Sequence, residues 1–395
     1  MAKKETFQRE EYLFMRYVFM MSGVSLQSDN KFIRHLWNLY RCLIVIHFIM
    51  IQLQFVMILQ RFENFESVFK GLNTSLGSML IHVRSFITWK YQNVYCKVRH
   101  MEKLSTNDSE TQQIRVQAKS SINRMLNLFT ANVAFQTIVA IMTSPDYEPL
   151  KIPFDMSYLN PLVRSKLERI YESLLLVYSH LESVNFLTIY IPMVELTCEL
   201  KVISKAFSTI FPCKSQNKKS KIFWIKSQNI IKRNVQYHSL ILKELKSLEK
   251  LTKISFFLVY YMAMFFTAMS AITIVRVQSF NISMVIMLVK VFNFMAECYV
   301  FCHLATEIDQ VNVETSQRIM DLEWPDNLLH STQLSKSLRT SMLIIMQQAQ
   351  KPLAISCGGF FLMGKDKYTA LVRNVYSMAT FVWNLKHADD NKSYS

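Results

Sequence analysis

Four ionisable side chains interrupt otherwise apolar stretches of this sequence: Glu182 and Glu195 in one, Lys290 and Glu297 in another. A charge inside a hydrocarbon medium costs about 3 kcal/mol or more, so each needs a partner or a task. Lys290 and Glu297 stand two helical turns apart on one face. They pair with each other, pair with neighbouring helices, or form part of a proton relay. Cys298, Cys302 and His303 also share a face, but a buried helical cysteine ordinarily acts as a small hydrophobe, and no metal is expected. HExxH, a Ser–His–Asp set and a paired-carboxylate cluster are all missing from the sequence. No catalytic residue or cofactor is therefore named, and the chain is read as a non-enzyme.

Two further sets concern binding and conduction. Met79, Phe135, Ile138, Tyr178, Met284 and Met287 lie near one end of their apolar stretches. Such residues suit a pocket for a small, greasy ligand, with few polar groups to orient it; plain helix packing or lipid contact is the alternative. In the last apolar stretch, Asn374, Ser377, Phe381 and Asn384 share a face at 3-4-3 spacing, with Arg373 and Thr380 beside them. A polar stripe broken by an aromatic fits a water-lined pore with a hydrophobic constriction. It fits equally a buried helix held by interhelical hydrogen bonds.

These residues must be positioned by membrane helices. Apolar residues make up 51% of the 395 and charged ones 19%, so most of the chain favours a non-aqueous setting. With only six glycines and no GxGxxG or GxxxxGK[ST] string, nucleotide-binding loops are excluded. Three of the six, Gly358, Gly359 and Gly364, cluster before the last apolar stretch. Seven stretches approach the length of a bilayer span: about Leu36–Gln60, Phe69–Trp89, Ile122–Thr143, Tyr171–Cys198, Ile254–Val277, Ile282–Ala305 and Tyr368–Leu385. The connections alternate in charge, with 28 Lys and Arg on one side and six on the other. By the positive-inside rule the N-terminus is cytosolic and the C-terminus extracellular. The surplus of 16 positive charges is thus a topology signal, and no nucleic acid partner is expected. The N-terminal residues lack the pattern of a secretory signal.

The loops add two expectations. Ile241, Leu245, Leu248 and Leu251 fall on one face at 4-3-3 spacing and run without a breaker into the fifth span. One helix therefore extends well below the membrane. Its apolar stripe is covered by the chain, by another subunit, or by the membrane surface. The stretch 145–166, with Pro145, Pro149, Pro153 and Pro161, predicts an ordered cap over the third and fourth spans.

Length, seven spans and the block KPLAISCGGFFLMGKDKYTALVRNVYSMATFVWNLK, Lys351–Lys386, together resemble the insect odorant receptors. The block is similar to that family's Lys-Pro-Leu lead, small residues, apolar patch and last helix with a Tyr-Ser motif. The comparable TFVWNLKH lacks the TYxxxxxQF-like ending of the gustatory receptors. A short second cytosolic loop is more like a ligand-tuning subunit than the co-receptor. The resemblance implies an odorant-gated, non-selective cation channel passing monovalent and divalent ions. It further implies a heterotetramer with the co-receptor, in the plasma membrane of olfactory neuron dendrites, in contact with membrane lipid. It places the gate at Phe381 and Leu385, with Asn384 and Ser377 on the pore face. It also implies this organisation: 1–35 cytosolic; 36–198 the first four spans and ligand-binding bundle; 199–253 a cytosolic loop and anchor; 254–305 spans five and six; 306–364 an anchor segment with the glycine break; 365–386 the pore helix; 387–395 an extracellular tail. The fold expected is an all-α polytopic membrane protein. The competing readings are a gustatory-type channel, or a seven-helix receptor signalling through a cytosolic partner docked on the basic 199–253 loop.

Overall fold

The computed structural model describes residues 18, 20–24, 31–61, 65–94, 98, 109–143, 152–154, 156–208, 221–276, 282–321, 333–353 and 355–393. Among them are eight long helices: α1 Lys31–Arg61, α2 Phe65–Lys90, α3 Ser109–Thr143, α4 Pro161–Ser208, α5 Lys221–Arg276, α6 Ile282–Met320, α7 Gln333–Ala349 and α8 Lys365–Ser393. A two-stranded hairpin, β1 Ser356–Cys357 and β2 Phe361–Leu362, precedes α8. Each of the seven expected spans lies in a helix of its own, allowing for Val277, which lies outside the described residues; α7 is the extra one. Among the described residues, Lys31–Arg61, Ser227–Ile272 and Met287–Met320 are long and apolar enough to cross a membrane by length and composition alone. Of the proline-rich connection, 145–151 and Asp155 lie outside the described residues. Its end is a helix start: Asn160 caps α4 by accepting the Leu162 N–H at 3.0 Å, and Pro161 takes the first helical position, where a missing N–H costs nothing.

Helix length separates the two ends of the bundle. α5 has 56 residues and α4 has 48, roughly 84 and 72 Å at 1.5 Å per residue, against about 30 Å of hydrocarbon. Both therefore run far beyond a bilayer. α5 is continuous through the expected stripe, and Ile241, Leu245, Leu248 and Leu251 are all buried within the chain itself. α4 is the central post: every residue from Ser183 to Val194 is buried. Around it Phe186 stacks on Phe129 of α3 at 4.5 Å and meets Phe301 of α6 at 5.2 Å, and Phe301 meets Phe256 of α5 at 4.5 Å. α1 is peripheral and packs on α2. Its outer face exposes Phe32, Leu36, Leu39, Leu43, Ile46, Ile49, Leu53 and Val56, a continuous apolar surface suited to lipid.

Among the described residues the hairpin is the one β-sheet. Ser356 pairs with Leu362 and Cys357 with Phe361. Gly358 and Gly359 turn the chain at φ +63° and +88°, a region that side chains with a Cβ enter at a cost. Gly358 has a second constraint: a Cβ there would stand 2.7 Å from the Phe257 ring, whereas at Gly359 it would meet only the flexible end of Lys253. The Gly358 N–H donates to the Lys253 carbonyl at 2.9 Å, fixing the hairpin to α5. Gly358→Ala is expected to lower stability by about 1–2 kcal/mol from backbone strain alone, more with the clash. Thermal unfolding in detergent checks this, with Gly359→Ala as the milder comparison; equal losses would remove the role of Phe257.

Candidate functional site

α2, α4 and α6 bring a set of charges to the middle of the bundle. Arg84, on α2, is 1% exposed and donates from both terminal guanidinium nitrogens to the Glu297 carboxylate of α6. Glu182 of α4 interacts electrostatically with Lys290 of α6 and with Arg84. Beside them the Asn185 amide of α4 donates to the Ile81 carbonyl at 3.1 Å and to the Ser85 hydroxyl at 3.0 Å, both on α2. Lys290 and Glu297 thus turn to different helices: Glu297 is ion-paired with Arg84 of α2, and Lys290 interacts electrostatically with Glu182 of α4. Arg84 is the member that sequence reasoning missed. Its signal was a lone arginine inside the second, weakly apolar span. Glu195 lies roughly 20 Å further along α4 than Glu182.

A second polar layer lies towards the hairpin. Arg115 of α3 donates to both carboxylate oxygens of Glu199 on α4, at 3.0 and 3.2 Å, and the Tyr237 hydroxyl of α5 donates to the same group at 2.8 Å. Burial works against the Arg115 charge, but the Glu199 carboxylate outweighs it and holds the guanidinium pKa above its ordinary value. Lys201 of α4 meets Glu307 of α6 at 2.5 Å. The segment leading into α8 is then tied down residue by residue. Asn312 donates to the Lys351 carbonyl at 3.2 Å, and Asp309 accepts the Leu353 N–H at 2.8 Å. Ser356 donates to Glu249 at 3.3 Å, and Thr306 accepts the Lys365 N–H at 3.2 Å. Cys357 is fully buried, which pushes its thiol up to about 12. A cleft of about 980 Å³ between α6 and the hairpin is lined by Asp309, Gln310, Phe361 and Asp366 among others.

α8 leaves this anchorage as a largely bare helix. Leu371 is buried, and Tyr368 and Val375 pack against the core, with the Tyr368 ring edge-on to Tyr299 of α6 at 5.3 Å. Beyond them Tyr376, Ser377, Met378, Thr380, Phe381 and Asn384 are exposed.

Long helices reaching beyond a bilayer and an apolar outer face describe a membrane protein. The family described as 7tm Odorant receptor matches residues 64–376. The chain belongs to that family. It is an all-α polytopic membrane protein that is similar in fold to solved insect receptors. The olfactory receptor OR5 from Machilis hrabei matches at a TM-score of 0.70 and 12% identity, over 96% of this chain and 98% of that one. Its complex with eugenol matches at 0.69 and 12%, over 95% and 99%. No curated protein matches.

In this odorant receptor the residues expected to bind ligand are spread over several surfaces. Met287 is buried, close to Phe69 of α2 and Met269 of α5. Met79, Phe135 and Ile138 are exposed on α2 and α3. Tyr178 and Met284 lie on α4 and α6, with side chains outside the described residues. On α8, Ser377, Phe381 and Asn384 are exposed along one face, and Leu385 lies one residue further, its side chain outside the described residues. Cys298 and Cys302 are buried in the main core, as small hydrophobes are.

Breaking the central ion pair by Glu297→Gln is expected to cost about 3–5 kcal/mol, because Arg84 is left charged and buried. The double variant Arg84→Met, Glu297→Met should recover much of that loss. A double-mutant cycle of melting temperatures in detergent measures the coupling, and additive losses would show that the pair contributes no mutual stabilisation.

Proposed function

We propose that the receptor is a ligand-tuning subunit of an odorant-gated, non-selective cation channel. It sits in the plasma membrane of olfactory neurons, on their dendrites, with its N-terminus cytosolic, and assembles as a heterotetramer with the co-receptor. The observation that carries this reading is α8. A helix in a membrane that exposes Asn374, Ser377 and Asn384 on one face, with the core touching only its first turns among the described residues, needs other polar surfaces or water beside it. Four such helices around an axis satisfy that need by enclosing a pore, with Phe381 and Leu385 as its constriction and Asn384 as the polar neighbour that ions pass. The basic connections, 28 Lys and Arg against six, support the direction of insertion.

The ligand is a small volatile organic molecule. It binds in the half of the bundle that holds the α1–α2 and α5–α6 connections, where Met287, Met269 and Phe69 come together. The known complex of a similar receptor with eugenol supports a ligand of that size. Binding favours the conformation in which the α8 helices stand apart, a shift of population set by differential affinity. The hairpin end, held by Glu249, Thr306, Asp309 and Asn312, serves as the fixed anchor.

Co-expression with the co-receptor is expected to give odorant-evoked cation currents. Asn384→Asp, which adds negative charge to the pore wall, should raise divalent relative to monovalent permeability, read as a shift in reversal potential. Phe381→Ala should raise the current without ligand. Currents indifferent to changes at Phe381, Asn384 and Leu385 would remove α8 from the pore.

A further inference from the structure

A groove of about 380 Å³ lies between α3 and α6, both of which pack on α4. Lys201, Ser204 and Lys205 of α4 line it, with Gln117 on the α3 side and Glu307, Gln310, Glu314 and Arg318 on the α6 side. The spans read from the sequence end at Cys198 on α4 and Ala305 on α6. The groove therefore begins within a turn of the membrane boundary and follows α6 away from it for roughly 16 Å, from Glu307 to Arg318. Arg124 stands two turns from Gln117 on the same face of α3, on the membrane side. It and Glu307 both interact electrostatically with Tyr190, which places Arg124 at the membrane end of the groove.

The groove has cations to offer. Arg124 is exposed and has no ion-pair partner among the described residues. Lys205 meets Glu110 at 3.2 Å and Arg318 meets Glu314 at 3.5 Å, all four with exposed side chains. Such surface pairs are weak and exchange for a better anion. Lys201 and Glu307 form the closer pair, at 2.5 Å. On the floor Ser204 is 2% exposed, yet its hydroxyl has no hydrogen-bond partner among the described residues. A helical serine or threonine can donate to the carbonyl four residues back, as Thr197 does to Met193 at 2.7 Å. A buried hydroxyl left over beside these cations calls for an acceptor.

Cations from three helices around one groove at a membrane boundary suit the headgroup of an anionic lipid. Depth selects among headgroups. A serine headgroup stays at the bilayer surface, level with Arg124 and Lys201, and leaves Ser204, Lys205 and Arg318 unanswered. Phosphates carried on an inositol ring project further from the bilayer and reach them. We propose that this groove binds a phosphorylated inositol lipid, with Arg124 and Lys201 on the phosphate that joins ring to lipid and Ser204, Lys205 and Arg318 on the ring phosphates. The inference rests on the direction of insertion proposed above, which puts this end of the bundle at the cytoplasmic leaflet, where such lipids lie.

The test is titration of the purified full chain, in phosphatidylcholine nanodiscs, with a fluorescent phosphatidylinositol bisphosphate. Binding should be saturable and about tenfold tighter than to phosphatidylserine at equal lipid charge, the effect of one further hydrogen bond to a charged group. Arg124→Gln and Lys205→Gln should each weaken it about fivefold, the effect of one basic residue near a lipid surface. The double variant Lys243→Gln, Lys246→Gln removes two exposed lysines from the α5 extension and should leave it unchanged. Ser204→Ala should weaken binding about two- to tenfold without lowering the melting temperature of the chain free of inositol lipid, because the hydroxyl gives up no bond there. Equal affinity for phosphatidylserine overturns the choice of lipid, and an equal loss from the α5 double variant overturns the groove. Soluble inositol trisphosphate that binds as tightly as the lipid overturns the membrane source. Nanodiscs present lipid to both faces, so these results do not depend on the direction of insertion. An epitope tag after Ser395 that is reached only from the cytosol would overturn that direction, and with it the cytoplasmic leaflet, while groove binding in nanodiscs would still support the headgroup chemistry.

Discussion

A charge inside a membrane bundle has to be neutralised by something else inside it, and the middle of this fold is arranged around that requirement. Arg84 reaches Glu297 across α2 and α6, and Glu182 stands opposite Lys290 across α4 and α6. Either pair broken singly leaves a buried charge, so the three helices have one mutual register in which all four are answered. Asn185, bridging to Ile81 and Ser85, reinforces that register with neutral hydrogen bonds. The packing of Phe186, Phe301 and Phe256 follows within it: aromatic contact stabilises an arrangement that the charges make specific.

From that centre the structure divides by helix length. At one end the helices finish near the limits of a bilayer. At the other, α4, α5 and α6 continue for several turns and bury the Ile241–Leu251 stripe among themselves. The chain after α7 is laid onto this extension, with backbone groups of Lys351, Leu353, Gly358 and Lys365 each satisfied by α5 or α6. The start of α8 is therefore fixed by hydrogen bonds to α5 and α6, and many of its later described residues are exposed. On the proposed reading this asymmetry suits a gate: the helix is held at its base, and its exposed length is free to be covered by other subunits. α6 is common to both regions. It carries Lys290 and Glu297 at the centre and Tyr299, in contact with Tyr368 of α8, half a turn beyond Glu297.

Much of this architecture was legible in the sequence. Seven apolar stretches, each now within a helix, follow from the cost of exposing backbone to hydrocarbon. The 4-3-3 spacing at Ile241–Leu251 predicted both the continuity of α5 and a buried face, because helical periodicity is local. The glycine cluster marked the joint before α8, since only glycine enters the positive-φ turn at 358 and 359 without strain. The hairpin flanking it was not legible: two-residue strands have no periodicity to read. Arg84 was passed over for a related reason, lying in a span whose modest hydropathy hid the cost of a charge there.

The sequence alone indicated that the chain is built of apolar helices and how basic residues alternate between their connections, because each depends on residues a few positions apart. Only the tertiary structure decided who neutralises whom. Lys290 and Glu297 lie two turns apart on one helix, which allowed them to pair; in the fold each turns to a different neighbour, Glu182 more than 100 positions away and Arg84 more than 200. Such pairings are set by the register of packed helices, a property of surfaces meeting in three dimensions that no local spacing records.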